Sequence, residues 1–370
     1  MHGYYIDYKV EIKQEKFDNG ILCTNNTAYI SYIGKNNRIL KTEKYAVLEI
    51  DTVYEALNSE QKLLLSNCYI KNFSLSDYRA KYNYSKTHLI TIKDFAAINT
   101  FFENDTITDF SYALFDSVSA DFTELGEGNI SFENSNFNCE HIHFVNTHFG
   151  NGKVNFKNVN FGNANIDFHF ANFGNGDITF DKSKFNGDRN SFRKVDFGNG
   201  KVDFTRVIFN STDITFDESS LYKGRFNFKK SVFSAADISF QNCLFKEELT
   251  FENALFGSGR VSYFSSEFGK LILKGCLLNN YIDLRVKKCN EIDLSNTIIK
   301  DIIDLKSDFC EVNINTLNLL GCRNLGKIFI NWTENKVEKI ILNQTNTNYF
   351  EKAEQFRLLK EDFNANGNYA

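Results

Sequence analysis

The sequence predicts a mainly β chain: a four-sided parallel β-helix with a non-repeating N-terminal region and a C-terminal helix. Three observations predict it. Phe recurs every twelve residues at Phe132, Phe144, Phe156, Phe168, Phe180, Phe192, Phe204, Phe216, Phe228 and Phe240. A second series follows five residues behind, at Phe137, Phe149, Phe161, Phe173, Phe185, Phe197, Phe209, Leu221, Phe233 and Phe245. Glycine pairs return every twenty-four residues, at Gly126/Gly128, Gly150/Gly152, Gly174/Gly176 and Gly198/Gly200. A repeat this regular buries each unit only against its neighbours, which defines a solenoid.

The glycines set the coil. A turn that needs permissive backbone angles returns at alternate corners, so one coil holds twenty-four residues in two long and two short sides. Long sides turn a large pair inward, as in Ile130-x-Phe132 and Ile142-x-Phe144. Short sides turn in a small residue and a ring, as in Ser135-x-Phe137 and Thr147-x-Phe149. Alternation at period two marks a strand with one face inward. Asn190 breaks it, standing where Ile or Val belongs.

Coils stacked at ~4.8 Å place Phe144, Phe168, Phe192 and Phe216 in one aromatic column and Phe156, Phe180, Phe204 and Phe228 in another. The register slips by one between Phe245 and Phe251. Beyond it, Leu284, Cys289, Leu294, Ile299, Leu305 and Cys310 step by five or six, which predicts a coil narrowing from about 24 towards 20–22 residues. Upstream, Phe110, Phe115 and Phe122 read as a first, irregular coil.

Ala171-Asn172-Phe173-Gly174 and Val195-Asp196-Phe197-Gly198 follow a small-(Asn/Asp)-Phe pattern with five-residue spacing. In this the chain resembles the pentapeptide-repeat proteins over roughly residues 108–320. The resemblance implies a right-handed, four-sided β-helix and says almost nothing about activity. The seven-residue sides exceed the family's coil, so the resemblance implies an expanded variant.

Residues 1–107 do not repeat. Tyr4–Lys13, Ile21–Ile33 and Arg38–Ile50 alternate as strands, with turn signals at Asp18-Asn19-Gly20 and Gly34-Lys35-Asn36-Asn37. Val53–Leu65 and Phe95–Phe102 carry helical signals. The region reads as an α+β cap or recognition domain, because the end of a solenoid exposes strand edges that need cover. The β-helix spans 108–323, and 324–370 form a C-terminal cap. There Ile328–Trp332 and Lys339–Leu342 read as strands, and Tyr349–Phe363 as an amphipathic helix with Phe350, Ala353, Phe356, Leu359 and Phe363 on one face. Phe350, Phe356, Arg357 and Leu359 are the candidate interaction residues. The run Lys352–Lys360 resembles the segment after the repeats in bacterial pentapeptide-repeat proteins that carry an ion-channel-like pair of membrane helices. That resemblance implies the soluble regulatory part of a bacterial membrane effector, with a role in regulation or defence. The plainer reading is a capping helix.

Composition excludes more than it selects. Lys plus Arg is 42 and Asp plus Glu is 47, a net charge of −5. This is no footprint for nucleic acid, and no nucleic-acid binding is expected. Pro is absent, which leaves long hydrogen-bond ladders open. Met1–Tyr8 shows no secretory leader, and no apolar run reaches the ~18–20 residues of a membrane span. A cytoplasmic chain is expected, membrane-associated only through a longer full-length protein. Eight scattered Cys, several in the apolar register, read as reduced, buried side chains.

Candidate chemistry is sparse. Cys139, His141, His143 and His148 fall within ten residues. His141 and His143 flank inward Ile142 and point outward together, so they could share a zinc ion. Cys139 and His148 lie around corners, which does not suit a tetrahedral site; solvated histidines are the better reading. Gly174–Phe180 is loosely similar to calcium-binding β-rolls but lacks their period. A carbohydrate-active β-helix would use outer clusters such as Asp203 with Arg206, or Arg189 with Arg193. Phosphate-loop, paired-His zinc and nucleophile-elbow patterns are absent. DNA mimicry needs dense negative charge, yet residues 121–270 hold 19 acidic and 16 basic side chains. The expectation is a non-enzymatic scaffold, with no cofactor and no catalytic residue. Its partner would be a protein, or a membrane domain in cis; self-association through the rod ends is also open. The alternatives are a DNA-mimic inhibitor of an enzyme such as gyrase, and a carbohydrate-active enzyme.

Overall fold

Each coil is four short strands around a narrow apolar interior. The computed structural model describes residues 7–20, 22–104, 106–234, 236–307 and 311–365. One long wall, the Phe132 wall, stacks Ile107–Asp109, Asn129–Ser131, Val154–Asn155 and their successors up to Ile314–Asn318. The opposite long wall, the Phe144 wall, runs from Val118–Ser119 and His141–His143 to Lys327–Phe329. Two short walls, named for Phe137 and Phe149, join them. Neighbours are parallel at the predicted offset: Ile130, Val154, Ile178, Val202 and Phe226 stack in turn. The result is a parallel solenoid of about twelve coils.

The rings form the predicted columns. Phe156 stacks on Phe180 with centroids 4.7 Å apart and planes 4° apart, and Phe168 on Phe192 at 5.2 Å. Across the interior the two columns meet edge to face: Phe156–Phe168 at 81° and Phe180–Phe192 at 88°. Both arrangements suit the ring quadrupole.

The small inward residues do more than leave space. Ser183 Oγ donates to the Phe156 carbonyl at 2.5 Å and accepts from the Val159 amide at 3.1 Å. Ser219 and Ser231 repeat the bridge. Cys243 and Cys276 take the donor role, with Sγ 3.0 and 3.1 Å from the carbonyls of Phe216 and Phe251. These bonds satisfy backbone groups that leave the ladder at the corner. Asn190 sits in the inward column between Ile166 and Ile214, buried, its Nδ2 donating to Ser211 Oγ at 2.5 Å. It thus exploits a hydroxyl supplied by the next coil, while its Oδ1 has no partner.

At the Gly corners a side chain is excluded: a Cβ on Gly174 (φ +62) would run into the Gly150 carbonyl. The narrowing is also seen. The offset falls to 21 residues between Ile282 and Ile303, then widens to 25 between Ile303 and Ile328. Cys310 lies outside the described residues; Ile314 stacks on Cys289. The seven described cysteines are free, five of them buried, but Cys23 is exposed and Cys139 half-buried.

The N-terminal sheet is mixed and continuous with the coil. Asp7–Lys13, Thr27–Ile33 and Ile39–Leu48 pair antiparallel. Tyr4–Ile6 and Ile21, assigned to strands from sequence, lie outside the described residues. Ile39–Leu48 then pairs parallel with Cys68–Lys71, and that strand with Phe101–Glu103. The Phe101–Glu124 bridge carries the ladder into the Phe149 wall. Helix α1 is Ile50–Asn58, ending short of the predicted Leu65, and α2 is Leu75–Lys81. Phe95–Phe102 is not helical. Ile90–Ala96 and Phe101–Glu103 are strands with a left-handed residue, Asn99, at the bend between them. Two strands around a corner imitate helical spacing. Phe122 is not interior either: Val118 pairs with Ile142, so alternation turns Ala120 inward and leaves Phe122 at the corner, 47% exposed.

The C-terminal end closes with α3 (Val337–Leu342), a helix where a strand was expected, and α4 (Tyr349–Ala365). The predicted apolar face of α4 is half right. Leu359 is buried and Phe356 and Phe363 pack on the core, but Ala353 is exposed and Phe350 is 89% exposed. Gln355 and Asp362 take the vacated buried places. Gln355 Oε1 accepts from the Leu319 amide at 2.8 Å, Asp362 from the Ile328 amide at 3.3 Å, and Gln344 Nε2 donates to the Leu317 carbonyl. Side chains thus replace the coil that would otherwise continue the ladder, as a buried strand edge requires.

Candidate functional site: the outer face of the Phe144 wall

Inward Ile and Phe residues alternate with outward ones, so the strand register draws columns on the outer surface. On the Phe144 wall His141 stacks beside Asn165, then Arg189, Asp213 and Asp237. A second column holds His143, Asp167 and Ser191, and reaches Asp283 and Asp304. Like charges therefore stand on consecutive coils. Burial, with Asp237 and Asp217 adding to it, pushes the Asp213 carboxyl above its ordinary range; Arg189 works against the shift.

Between Asp237 and Arg285 the wall carries a groove of about 460 Å³. Asp283, 5% exposed, clamps Arg285 by two bonds: Oδ1 to Nε at 2.9 Å and Oδ2 to Nη2 at 2.6 Å. The Arg285 guanidinium lies 5.2 Å over the Phe264 ring. Arg260 lies 4.9 Å over the Tyr281 ring, and the Tyr281 hydroxyl donates to Asp304 at 2.6 Å. Burial and then Asp304 push the Tyr281 phenol well up. Ser239, Gln241 and Ser262 complete the rim. Arg260 is exposed and makes no ion pair with any described residue.

Sequence reasoning missed this group because the offsets there are not twenty-four. Val261 pairs with Ile238 and Ile282 with Val261, at 23 and 21 residues. The outward neighbours Asp237, Arg260 and Tyr281 align only once those slips are known; the slip between Phe245 and Phe251 was the available signal.

The residues singled out from sequence fall as follows. His141 and His143 share the outer face, rings 5.9 Å apart. His148 lies on the Phe149 wall with Nδ1 3.1 Å from Glu124 Oε2. Burial opposes its protonation, but the Glu124 hydrogen bond and charge outweigh that and raise its pKa. Cys139 sits at a corner, its thiol pushed up to about 11 by burial. Among the described residues no group of three or more His, Cys, Asp or Glu side chains is placed to hold a metal. Asp203 and Arg206 are not partners: Arg206 is bidentate to Asp181 at 2.8 Å, and Asp203 holds Thr205. Arg193 pairs with Glu218 rather than acting with Arg189. Arg357 pairs with Glu361 along α4.

A second cleft, of about 600 Å³, lies beside α2. It borders a structural clasp. Asp109 accepts from the Ser76 amide and hydroxyl, and buried Arg79 donates to the carbonyl and hydroxyl of Ser111.

Among the described residues no helix is long and apolar enough to cross a membrane. Comparison with protein-family models, curated proteins and solved structures returns no match to this chain.

Proposed function

We propose that this chain is a non-enzymatic interaction scaffold of the pentapeptide-repeat type, in an expanded form. Its Phe144 wall is the working face, and its α4 end joins a protein partner or a membrane segment in cis. One observation carries the reading: one apolar core runs from Ala46 to Leu359, and the N-terminal sheet, with a second small cluster around Phe101, is joined to it strand by strand through Cys68–Lys71 and Phe101–Glu103. A side chain bound on the wall, the N-terminal sheet and α4 are therefore held in fixed relation, which is what a scaffold needs. Tyr349 and Phe350, 88% and 89% exposed at the start of α4, support a contact there. DNA mimicry draws no support from the Phe132 wall, where Asp177 stands between Lys153 and Lys201 on successive coils.

Photo-crosslinking in host cells tests this. A crosslinking residue at Phe350 or Arg189 is expected to give a discrete protein adduct, and one at Lys201 on the Phe132 wall none. Absence of adducts at the first two positions, or equal labelling at all three, removes the reading.

A further inference from the structure

We infer that the groove between Asp237 and Arg285 binds an anionic saccharide, a sugar chain bearing a carboxylate or sulfate group. Three features of the groove lead there. Its two guanidinium groups are fixed in different ways. Arg285 is already neutralised, clamped by buried Asp283 and laid on Phe264. It shapes the floor. Arg260 lies over the Tyr281 ring, 4.9 Å from its centroid, with no acidic partner among the described residues. A stacked guanidinium loses little further freedom on binding and presents a planar fork of donors suited to carboxylate or sulfate.

The rest of the rim is built for hydroxyls. Asp237, Gln241 and Ser262 offer acceptors and donors beside Arg260, while the Ser239 hydroxyl already donates to Asp217 at 2.5 Å. Asp237 has one oxygen engaged by the Arg260 amide at 2.7 Å, and its second oxygen faces no described partner. One cationic fork amid neutral and acidic hydrogen-bonding groups fits a polyol with one anionic substituent. It does not fit a phosphate-rich polymer, whose closely spaced charges the exposed Asp237 would repel and Arg260 alone would not answer. The volume, about 460 Å³, lies in the range of small-ligand sites. The groove opens along the wall, where Asp213 and Thr215 continue the polar columns, so an extended chain has room to continue.

Titration calorimetry on the whole protein tests this with four probes: a tetrasaccharide carrying one uronic acid, a tetrasaccharide carrying one sulfate, a neutral glucose tetramer and sodium sulfate. Saturable binding of at least one acidic probe is expected, with none of the neutral one. Arg260→Gln should weaken that binding about tenfold or more, the range for a hydrogen bond to a charged group. Arg260→Lys, which keeps the charge and loses the fork, should fall between. Arg260 is exposed, and an unchanged melting temperature will show that its variants fold. The inference is overturned if neither acidic probe binds, if the neutral tetramer binds equally, or if Arg260→Gln changes nothing. It is also overturned if sulfate alone matches the sugars, which would mean a simple anion site.

Discussion

The Phe132 and Phe144 walls enclose the same interior and treat the solvent differently. On the Phe132 wall charges answer one another between neighbouring coils: Lys157 with Glu133, Arg206 with Asp181, Lys229 with Glu252 and Lys270 with Glu291, at 3.9, 2.8, 2.6 and 2.5 Å. On the Phe144 wall Arg193 answers Glu218 at 2.5 Å and Arg285 lies between Asp283 and Asp304, at 2.6 and 3.8 Å, but Asp213 stands against Asp237. Like charges directly opposite on adjacent strands cost stability. The Phe144 wall thus keeps one pair of carboxylates, Asp213 and Asp237, side by side on consecutive coils. Stability accounts for the first wall. The second carries, at Asp213 and Asp237, a cost that stability alone does not require, and Asp237 borders the Arg260 groove.

The largest effects test the shared interior. Phe180→Ala and Phe192→Ala, one on each wall, are each expected to cost about 3–5 kcal/mol in urea unfolding. A large inequality would break the claim that the walls share one core. Next come the wall ends. Gln355→Ala strips the acceptor from the Leu319 amide, and Asp362→Ala from the Ile328 amide. Each should cost about 1–3 kcal/mol by leaving a buried donor unpaired, with the melting temperature as readout. Outer charges should differ in sign. Lys270→Ala on the Phe132 wall should lose about 0.2–1 kcal/mol, whereas Asp213→Asn on the Phe144 wall should raise the melting temperature at neutral pH. The sign follows from its raised pKa. The carboxyl ionises less readily folded than unfolded, so its ionisation costs stability as pH rises through the unfolded and then the folded pKa. Asparagine removes that cost, and a fall in melting temperature would contradict it. The smallest effect is at His148 on the Phe149 wall. Its folded pKa lies above the ordinary 6.5, so its contribution is full below that value and fades as pH rises through the raised pKa. The melting temperature of His148→Gln should therefore approach that of the native chain at alkaline pH.

The interior was legible because its residues repeat by type. Phe132 to Phe240 declare both the column and the coil length. What repeats by position but not by type was harder to read. The residue after each inward Ile, or after Asn190, runs His143, Asp167, Ser191, Thr215 and Ser239, a column that no composition rule recovers. The groove was hidden by two register changes, which place Tyr281 beside Arg260 at an offset of 21. Local spacing misled where a corner intervenes, as at Phe95–Phe102. On α4, counting apolar residues selected Phe350, while packing against an open ladder demanded the amides and carboxylate of Gln355 and Asp362. Asn190 made sense only once Ser211 of the following coil was beside it.

The twenty-four-residue offset has a consequence for change in length. Excising Asn151–Gly174 would join Gly150 to Asn175, and every wall, corner and column would meet its like across the seam. Deletions or duplications of that size shorten or extend the molecule by one rung, ~4.8 Å, and leave both ends intact. Within the coils that keep this offset, a cut of half that size would instead set each long wall against the other. The protein is in that sense a graduated rule whose length can be edited in whole divisions, and the distance between its N-terminal sheet and α4 is heritable as an integer.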